Sequence, residues 1–353
     1  MCHKVGGTKI KFQGVSFNGK LKIPQGYRAK LGLRETEVAI KKLKDYFERA
    51  LSYELHLTRV SAPLFVKPET GLNDNLNGTE KAVSFIVKDA DESYAEIVHS
   101  LAKWKRMALA RYGFSVKEGL YTDMNAIRKE EELDNLHSIY VDQWDWEKII
   151  SREDRTEAKL REIVRRIYSV FKNTERYITY EYKELDSFLP EEIFFITTQE
   201  LEDLYPSLTP KQREDEIVRE KKAVFLMKIG GVLKSGIKHD GRSPDYDDWE
   251  LNGDIIFWNP LLEQAFELSS MGIRVDEEAL LKQLKISCCE ERKNFPFHKD
   301  LLECNLPYTI GGGIGQSRIC MYFLQKAHIG EIQASIWPDD MINKCAESGI
   351  ELL

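Results

Sequence analysis

The segment SIYVDQWDWE, residues 138–147, restricts the possible folds more than any other stretch of the chain. It alternates like a β-strand, and period-2 geometry places Gln143, Asp145 and Glu147 on one face with Ile139 and Val141. A row that turns from apolar to polar is a poor inner face for a sheet core, because a carboxylate buried without a partner is costly. Such a strand lines a cavity holding something cationic or hydrogen-bonding. An edge strand with one wet face would give the same pattern.

The neighbouring segments supply the layers for such a sheet. Ile40, Leu43, Phe47, Ala50 and Leu51 recur at helical spacing between Glu35 and Glu54, and HLTRVSAPLF then reads as a strand ending at Pro63. A second amphipathic helix carries Leu101, Trp104, Ala108, Leu109 and Tyr112, and a third carries Leu160, Ile163, Val164, Ile167 and Phe171. AVFLMKIGG, GDIIFW and FELSS read as strands, followed by a helix from about Asp276 and a glycine cluster leading into another helix. Helices and strands interleave without strict βαβα order, which predicts an α/β fold of the α+β type, a mostly antiparallel sheet flanked by helices. A length of 353 residues fits one large catalytic domain over residues 34–353, preceded by a Gly- and Lys-rich extension over residues 1–33.

Fifty-one Lys and Arg against 58 Asp and Glu, a formal net charge of -7, argue against broad nucleic-acid binding. No apolar run approaches the roughly 18 residues of a membrane helix, and the opening MCHKVGGTKIKFQG has no signal-peptide core, so a cytoplasmic protein is expected. Cys2, Cys288, Cys289, Cys304, Cys320 and Cys345 form no CxxC pair and have no histidine at zinc-ligand spacing, which predicts reduced thiols and not a metal site.

Several motifs carry chemistry. In GGGIGQSR, residues 311–318, successive glycines allow close backbone approach and Arg318 stands where a helix begins, so an anion is the natural guest. Gln316 breaks the GxGxxG pattern and no GxxxxGK[ST] occurs. A tight strand-to-helix turn with a surface arginine is the alternative. In residues 126–147, Arg128 ends one strand, a charged loop follows, and the strand bearing Gln143 and Asp145 returns. FELSSMGIRV places Glu267 and Ser269 on one face, with Gly272 and Arg274 beyond. Arg242, Asp245, Asp247, Asp248 and Asp254 crowd residues 241–254, enough carboxylate for Mg2+ or a substrate ammonium, or else a solvated acidic loop. HSLAKWKR puts Lys105 on an amphipathic helix, and GLNDNLNGTEK presents Asp74 between asparagines.

The helix-strand-proline opening, the arginine-loop-strand and the glycine-rich turn into an arginine-bearing helix resemble the three motifs of class II aminoacyl-tRNA synthetases. GLNDNLNG, HSLAKWKR, EGLYT, HSIYVDQWDWE, SPDYDDW, LNGD, WNP, AFELSSMGIRV and TIGGGIGQSR more closely resemble the ammonia-dependent asparagine synthetases, or aspartate ammonia ligases, over about residues 33 to 339. Two features depart from that family: residues 1 to about 30 have no counterpart, and the link between DYDDW and LNGD is short.

The resemblance implies ATP-dependent conversion of aspartate and ammonia to asparagine through a β-aspartyl-adenylate, with AMP and pyrophosphate released, Mg2+ required and a homodimer formed through motif 1. It assigns Arg128 to the α-phosphate, Arg318 to the adenine and terminal phosphates, and Arg242 and Ser269 to the nucleotide. Asp254 and Glu267 are assigned to magnesium and the nucleotide. Asp74, Gln143 and Asp145 suit the ammonium and backbone end of aspartate, and Lys105 a carboxylate, with Ser270 in the same pocket. Asp247 would stand near the reacting carbon, holding ammonium and accepting its proton. The rival readings are an aspartyl- or asparaginyl-tRNA synthetase, which would need an anticodon-binding barrel of roughly 100 residues, and a non-catalytic amino-acid-binding regulator. A glutamine-dependent synthetase using Cys2 would need a glutaminase domain that the sequence does not suggest.

Overall fold

The structure, a computed structural model, describes residues 21–74 and 80–353. In chain order these form α1 (Leu33–Leu55), β1 (Leu57–Arg59), β2 (Phe65–Val66), β3 (Ser84–Val87), β4 (Ser93–Ile97), α2 (Ala102–Arg111), β5 (Gly119–Ile127) and β6 (Tyr140–Ile149). There follow α3 (Glu157–Glu181), β7 (Phe194–Thr197), α4 (Thr198–Leu204), α5 (Pro210–Lys221), β8 (Ala223–Met227), β9 (Asp247–Asn259) and β10 (Gln264–Arg274). The chain closes with α6 (Glu277–Ile286), α7 (Pro296–Leu302), β11 (Thr309–Gly315), α8 (Gln316–Phe323) and α9 (Asp339–Glu347).

An eight-stranded sheet runs β1-β5-β6-β11-β10-β9-β8-β7, and β2-β4-β3 form a small separate sheet. Parallel pairing is confined to β1–β5 and β7–β8 at the two edges of the large sheet, and every other pair is antiparallel. The mostly antiparallel sheet flanked by helices is thus the observed architecture.

The alternation in β6 decides which face holds the core. Trp144 and Trp146 are buried on the side of α1 and α3, where Phe47 of α1 stacks on Trp144 at 5.0 Å and packs against Phe171 of α3 at 5.1 Å. Both helices present one apolar row: Ile40, Leu43, Phe47, Leu51 and Leu55 on α1, and Leu160 through Ile178 on α3, whose start is capped by Thr156. Gln143, Asp145 and Glu147 therefore project to the opposite face, over which α2 lies.

Three expectations need correction. HLTRVSAPLF is not one strand: β1 stops at Arg59, and the chain beyond Pro63 joins the small sheet as β2. The glycine cluster is not a turn but β11, an interior strand between β6 and β10. Nor is the first turn of α8 open to an anion, because the Asp142 carboxylate accepts from both the Ser317 backbone N–H at 3.0 Å and the Ser317 hydroxyl at 2.8 Å.

Of the segment 1–33, residues 1–20, with Cys2, lie outside the described residues, as do residues 75–79 of the GLNDNLNG stretch. Leu31 is buried, and the Tyr27 hydroxyl donates to Glu331 Oε1 at 2.9 Å. No described helix is long and apolar enough to cross a membrane. Cys288, Cys289, Cys304, Cys320 and Cys345 are free thiols.

Candidate active site

The polar face of the sheet is built in rows. Asp145 of β6 lies opposite Gly313 of β11, Gly313 opposite Ser270 of β10, and Ser270 opposite Asp254 of β9. One step along, Glu147 lies opposite Gly311 and Gly311 opposite Gly272; one step the other way, Gln143 lies opposite Gly315. The glycines follow from this register. A Cβ at Gly311 would overlap the Glu147 carboxylate, and one at Gly313 would overlap the Gln143 amide and crowd Asp145. β11 thus gives up its side chains so that those of β6 can lie across it.

Above these rows opens a cleft of about 380 Å3. Every site residue expected from sequence lines it except Asp74 and Asp254: Lys105, Arg128, Gln143, Asp145, Arg242, Asp247, Glu267, Ser269, Ser270 and Arg318. Asp74 sits just behind, its carbonyl bonded to His99 Nδ1 at 3.0 Å. Asp254 lies beneath Arg242, with which it forms a short ion pair. A register shift in β10 between Glu267 and Ser269 breaks strict alternation and brings Ser270 to the cleft along with Glu267 and Ser269.

One end of the cleft is a buried charge network. Lys105 reaches Asp145 Oδ2 at 3.1 Å, the Gly312 carbonyl at 3.0 Å and Glu147 Oε2 at 4.0 Å. Arg274 donates to Glu147 from Nη2 at 2.7 Å and from Nε at 3.0 Å, while its Nη1 meets Asp247 in a short contact. Thr309 adds a hydrogen bond to Glu147 at 2.7 Å. Burial raises the Asp247 carboxyl above its usual range against the pull of Arg274, whereas for Glu147 Arg274 and Lys105 outweigh burial and hold it below. Burial and Arg274 press the Lys105 ammonium down, opposed by Asp145 and Glu147. Two cations against three carboxylates make a pocket able to meet both the ammonium and a carboxylate of an amino acid.

Arginines surround the rest of the cleft. Arg318 Nη1 is fixed by the Glu267 carbonyl at 3.0 Å, and Arg128 stands at the end of β5, its backbone N–H bonded to Ile139 O at 2.8 Å. Arg128 Nε and Arg242 Nε, both buried, have no hydrogen-bond partner among the described residues, nor do Asp145 Oδ1, Asp254 Oδ1 and the Ser269 hydroxyl. Gathered at one cleft, these open donors and acceptors are available to a ligand or to water. Burial, with Glu267 and Asp240 adding and Arg242 opposing, pushes the Asp254 carboxyl up to about 8.

The acidic run over residues 241–254 is not one cluster. Asp245 is buried away from the cleft, held by Lys103 at 3.2 Å, His298 at 3.0 Å and Arg292 at 3.2 Å, and Asp248 pairs with Arg155 at 2.9 Å. Among the described residues no group of three or more His, Cys, Asp or Glu side chains is placed to hold a metal ion. Sequence reasoning missed Glu147 and Arg274 as site residues, although both stand in motifs it singled out. His99 and Tyr246, which stand in HSLAKWKR and SPDYDDW without having been singled out, also line the cleft, as does Gln333, which no local pattern marks.

This fold is that of the class II aminoacyl-tRNA synthetase catalytic core. The asparaginyl-tRNA synthetase of Pyrococcus horikoshii complexed with asparaginyl-adenylate superposes with a TM-score of 0.62 at 15% identity, over 86% of this chain and 70% of that one. The aspartyl-tRNA synthetase of Entamoeba histolytica gives 0.58 at 14% identity, over 85% of this chain and 59% of that one. The particular family is fixed by sequence. The aspartate-ammonia ligase family model matches residues 34–349, and the chain is 68% identical over 334 residues to the aspartate–ammonia ligase of Clostridium tetani, covering 95% of this chain and 98% of that protein. The aspartate–ammonia ligase of Ruminiclostridium cellulolyticum is 67% identical over 330 residues, covering 94% and 98%, so fewer residues lack a counterpart in these relatives than the first 30 or so expected from sequence. The chain belongs to the aspartate–ammonia ligase family and is a ligase that forms a carbon–nitrogen bond.

Proposed function

We propose that the chain makes L-asparagine from L-aspartate, ammonia and ATP through a β-aspartyl-adenylate, releasing AMP and pyrophosphate. The observation that carries this reading is the adjacency, in one cleft, of the Lys105–Asp145–Glu147–Arg274–Asp247 network and the arginines Arg128, Arg242 and Arg318. The first suits a zwitterionic dicarboxylic amino acid and the second a polyphosphate.

A carboxylate resists ammonia because oxide is a poor leaving group, so it must first acquire a better one. The aspartate side-chain carboxylate attacks the α-phosphate, pyrophosphate leaves, and cations standing where charge builds lower the barrier. In this reading Arg128 grips the α-phosphate and Arg318 the adenine and terminal phosphates, with Arg242 and Ser269 as further nucleotide contacts. Asp74, Gln143 and Asp145 hold the ammonium and backbone end of aspartate, Lys105 and Ser270 its carboxylates, and Asp247 draws ammonium towards the reacting carbon.

Asp254 and Glu267 would hold magnesium in this reading: Glu267 lines the cleft, and Asp254, beneath Arg242, keeps Oδ1 without a hydrogen-bond partner among the described residues, a carboxyl that a bound cation would hold ionised. Two carboxylates with phosphate oxygens and water suffice for this ion. Bound there, Mg2+ would neutralise charge on the phosphates. The reading further comprises one catalytic unit over residues 34–353, a cytoplasmic location, and a homodimer formed through α1 and the edge strand β1, where Val38 and Tyr53 are exposed.

The test is release of AMP and pyrophosphate from ATP and aspartate, with and without ammonium chloride, with asparagine assayed. Asparagine in step with AMP supports the ligase. Exchange of pyrophosphate into ATP without asparagine would assign the adenylate to another acceptor.

A further inference from the structure

At physiological pH the nitrogen donor is almost all ammonium, which has no lone pair. An enzyme that uses it needs a base at the acyl carbon. Asp247, the acceptor expected from the resemblance, is held in an ion pair by Arg274, and Asp145 has Oδ2 on Lys105 and its open Oδ1 assigned above to the ammonium of aspartate.

His99, between β4 and α2, is placed differently. Its backbone N–H donates to Asn73 Oδ1 at 2.9 Å, and its ring Nδ1 lies 3.0 Å from the Asp74 carbonyl oxygen. A carbonyl oxygen only accepts, so Nδ1 must carry the hydrogen of the neutral ring, and Nε2 carries the lone pair. The ring lines the cleft with 1% of its surface exposed, and Nε2 has no hydrogen-bond partner among the described residues. Of the buried histidine nitrogens without a partner among the described residues, on His99, His239, His298 and His328, only that of His99 belongs to a residue lining the cleft, where a bound donor can complete it.

We propose that His99 is the base of the transfer step, its Nε2 taking a proton from bound ammonium. This rests on the adenylate reading above. One proton passes from ammonium to Nε2, leaving ammonia. The ammonia lone pair forms the carbon–nitrogen bond at the β-carbonyl carbon of the adenylate, and the carbon–oxygen bond to phosphate breaks, its electron pair leaving with AMP. A second proton is lost from the new amide nitrogen to solvent, and His99 then releases its own to solvent.

The surroundings keep the imidazole neutral, so the Nε2 lone pair is free in the resting enzyme. Burial lowers its affinity for a proton and the nearby Arg128 guanidinium lowers it further, against the Asp74 carbonyl bond and the carboxylates of Glu80 and Glu96. His99 and Arg128 line the same cleft, and in the reading above Arg128 holds the α-phosphate.

The test separates the two half-reactions in His99→Asn, whose amide can still donate to the Asp74 carbonyl. Aspartate-dependent exchange of pyrophosphate into ATP should persist, while ammonium-dependent asparagine formation falls by about 100-fold or more. Hydroxylamine, largely unprotonated at neutral pH, needs no such base, so formation of aspartyl hydroxamate should be retained. Equal losses with both nucleophiles, or none with ammonium, would overturn the assignment. Should the variant lose exchange as well, wild-type pH profiles at fixed total ammonium decide. A rate that is level through neutral pH and falls only below about 6.5, with no such fall for hydroxylamine, supports His99. A rise of about tenfold per pH unit through neutral pH, the mark of free ammonia as the species bound, refutes it, as does the same acid limb with both nucleophiles. A wild-type enzyme without aspartate-dependent exchange would instead sink the adenylate reading itself.

Discussion

Gly311 faces Glu147 across the β11–β6 register, and the Glu147 carboxylate fills the space a Cβ would need. That carboxylate is the hub between Arg274, Lys105 and Thr309. Gly311→Ala is expected to push Glu147 out of this network, destabilising the protein by about 1–3 kcal/mol, as overpacking does. Asparagine formation should fall more steeply than the melting temperature implies; unchanged turnover at full occupancy of the fold would show that the hub is dispensable.

Lys105 offers a second test. Lys105→Ala should lower kcat/KM for aspartate by about 10² to 10³, the effect of losing a charge aimed at a developing transition state. Circular dichroism should remain native. Near-normal rates would remove Lys105 from the site.

Magnesium use makes a different demand. Asp254→Asn keeps the shape but loses a negative ligand, and the Mg2+ concentration needed for half-maximal exchange should rise by at least about 10-fold. The same dependence in variant and wild type would move the ion elsewhere.

The buried His328 predicts acid sensitivity. Burial lowers its pKa from 6.5 to about 4, and its ring sits edge-on to Trp337 at 4.7 Å. Because the folded pKa is the depressed one, the stabilising contribution is complete above 6.5 and is lost as pH falls towards about 4. The full span is about 3 kcal/mol. Urea titrations at successive pH values should show a shallower decline between those limits for His328→Gln than for wild type, and parallel curves would refute the assignment.

Much of this site was legible in the chain. The alternation of 138–147 gave a strand with a polar face because side-chain direction in a strand is a local property, and Gln143 and Asp145 do line the cleft. The helical rows through Phe47 and Phe171 were equally local, and irregular interleaving was enough to predict a mostly antiparallel sheet. Motif resemblance supplied the remaining expected lining residues.

What the chain could not reveal was who meets whom. The three glycines read as a turn because a glycine run gives no strand signal, and only the register with β6 explains them. Asp245 and Asp247 are two residues apart, yet one is held by Lys103, His298 and Arg292 and the other by Arg274. Periodicity says which face a residue takes but not what lies opposite. Partners distant in sequence, such as Glu147 and Arg274, are chosen by strand order, and His99 acquires its open nitrogen only when the 73–74 segment folds against it.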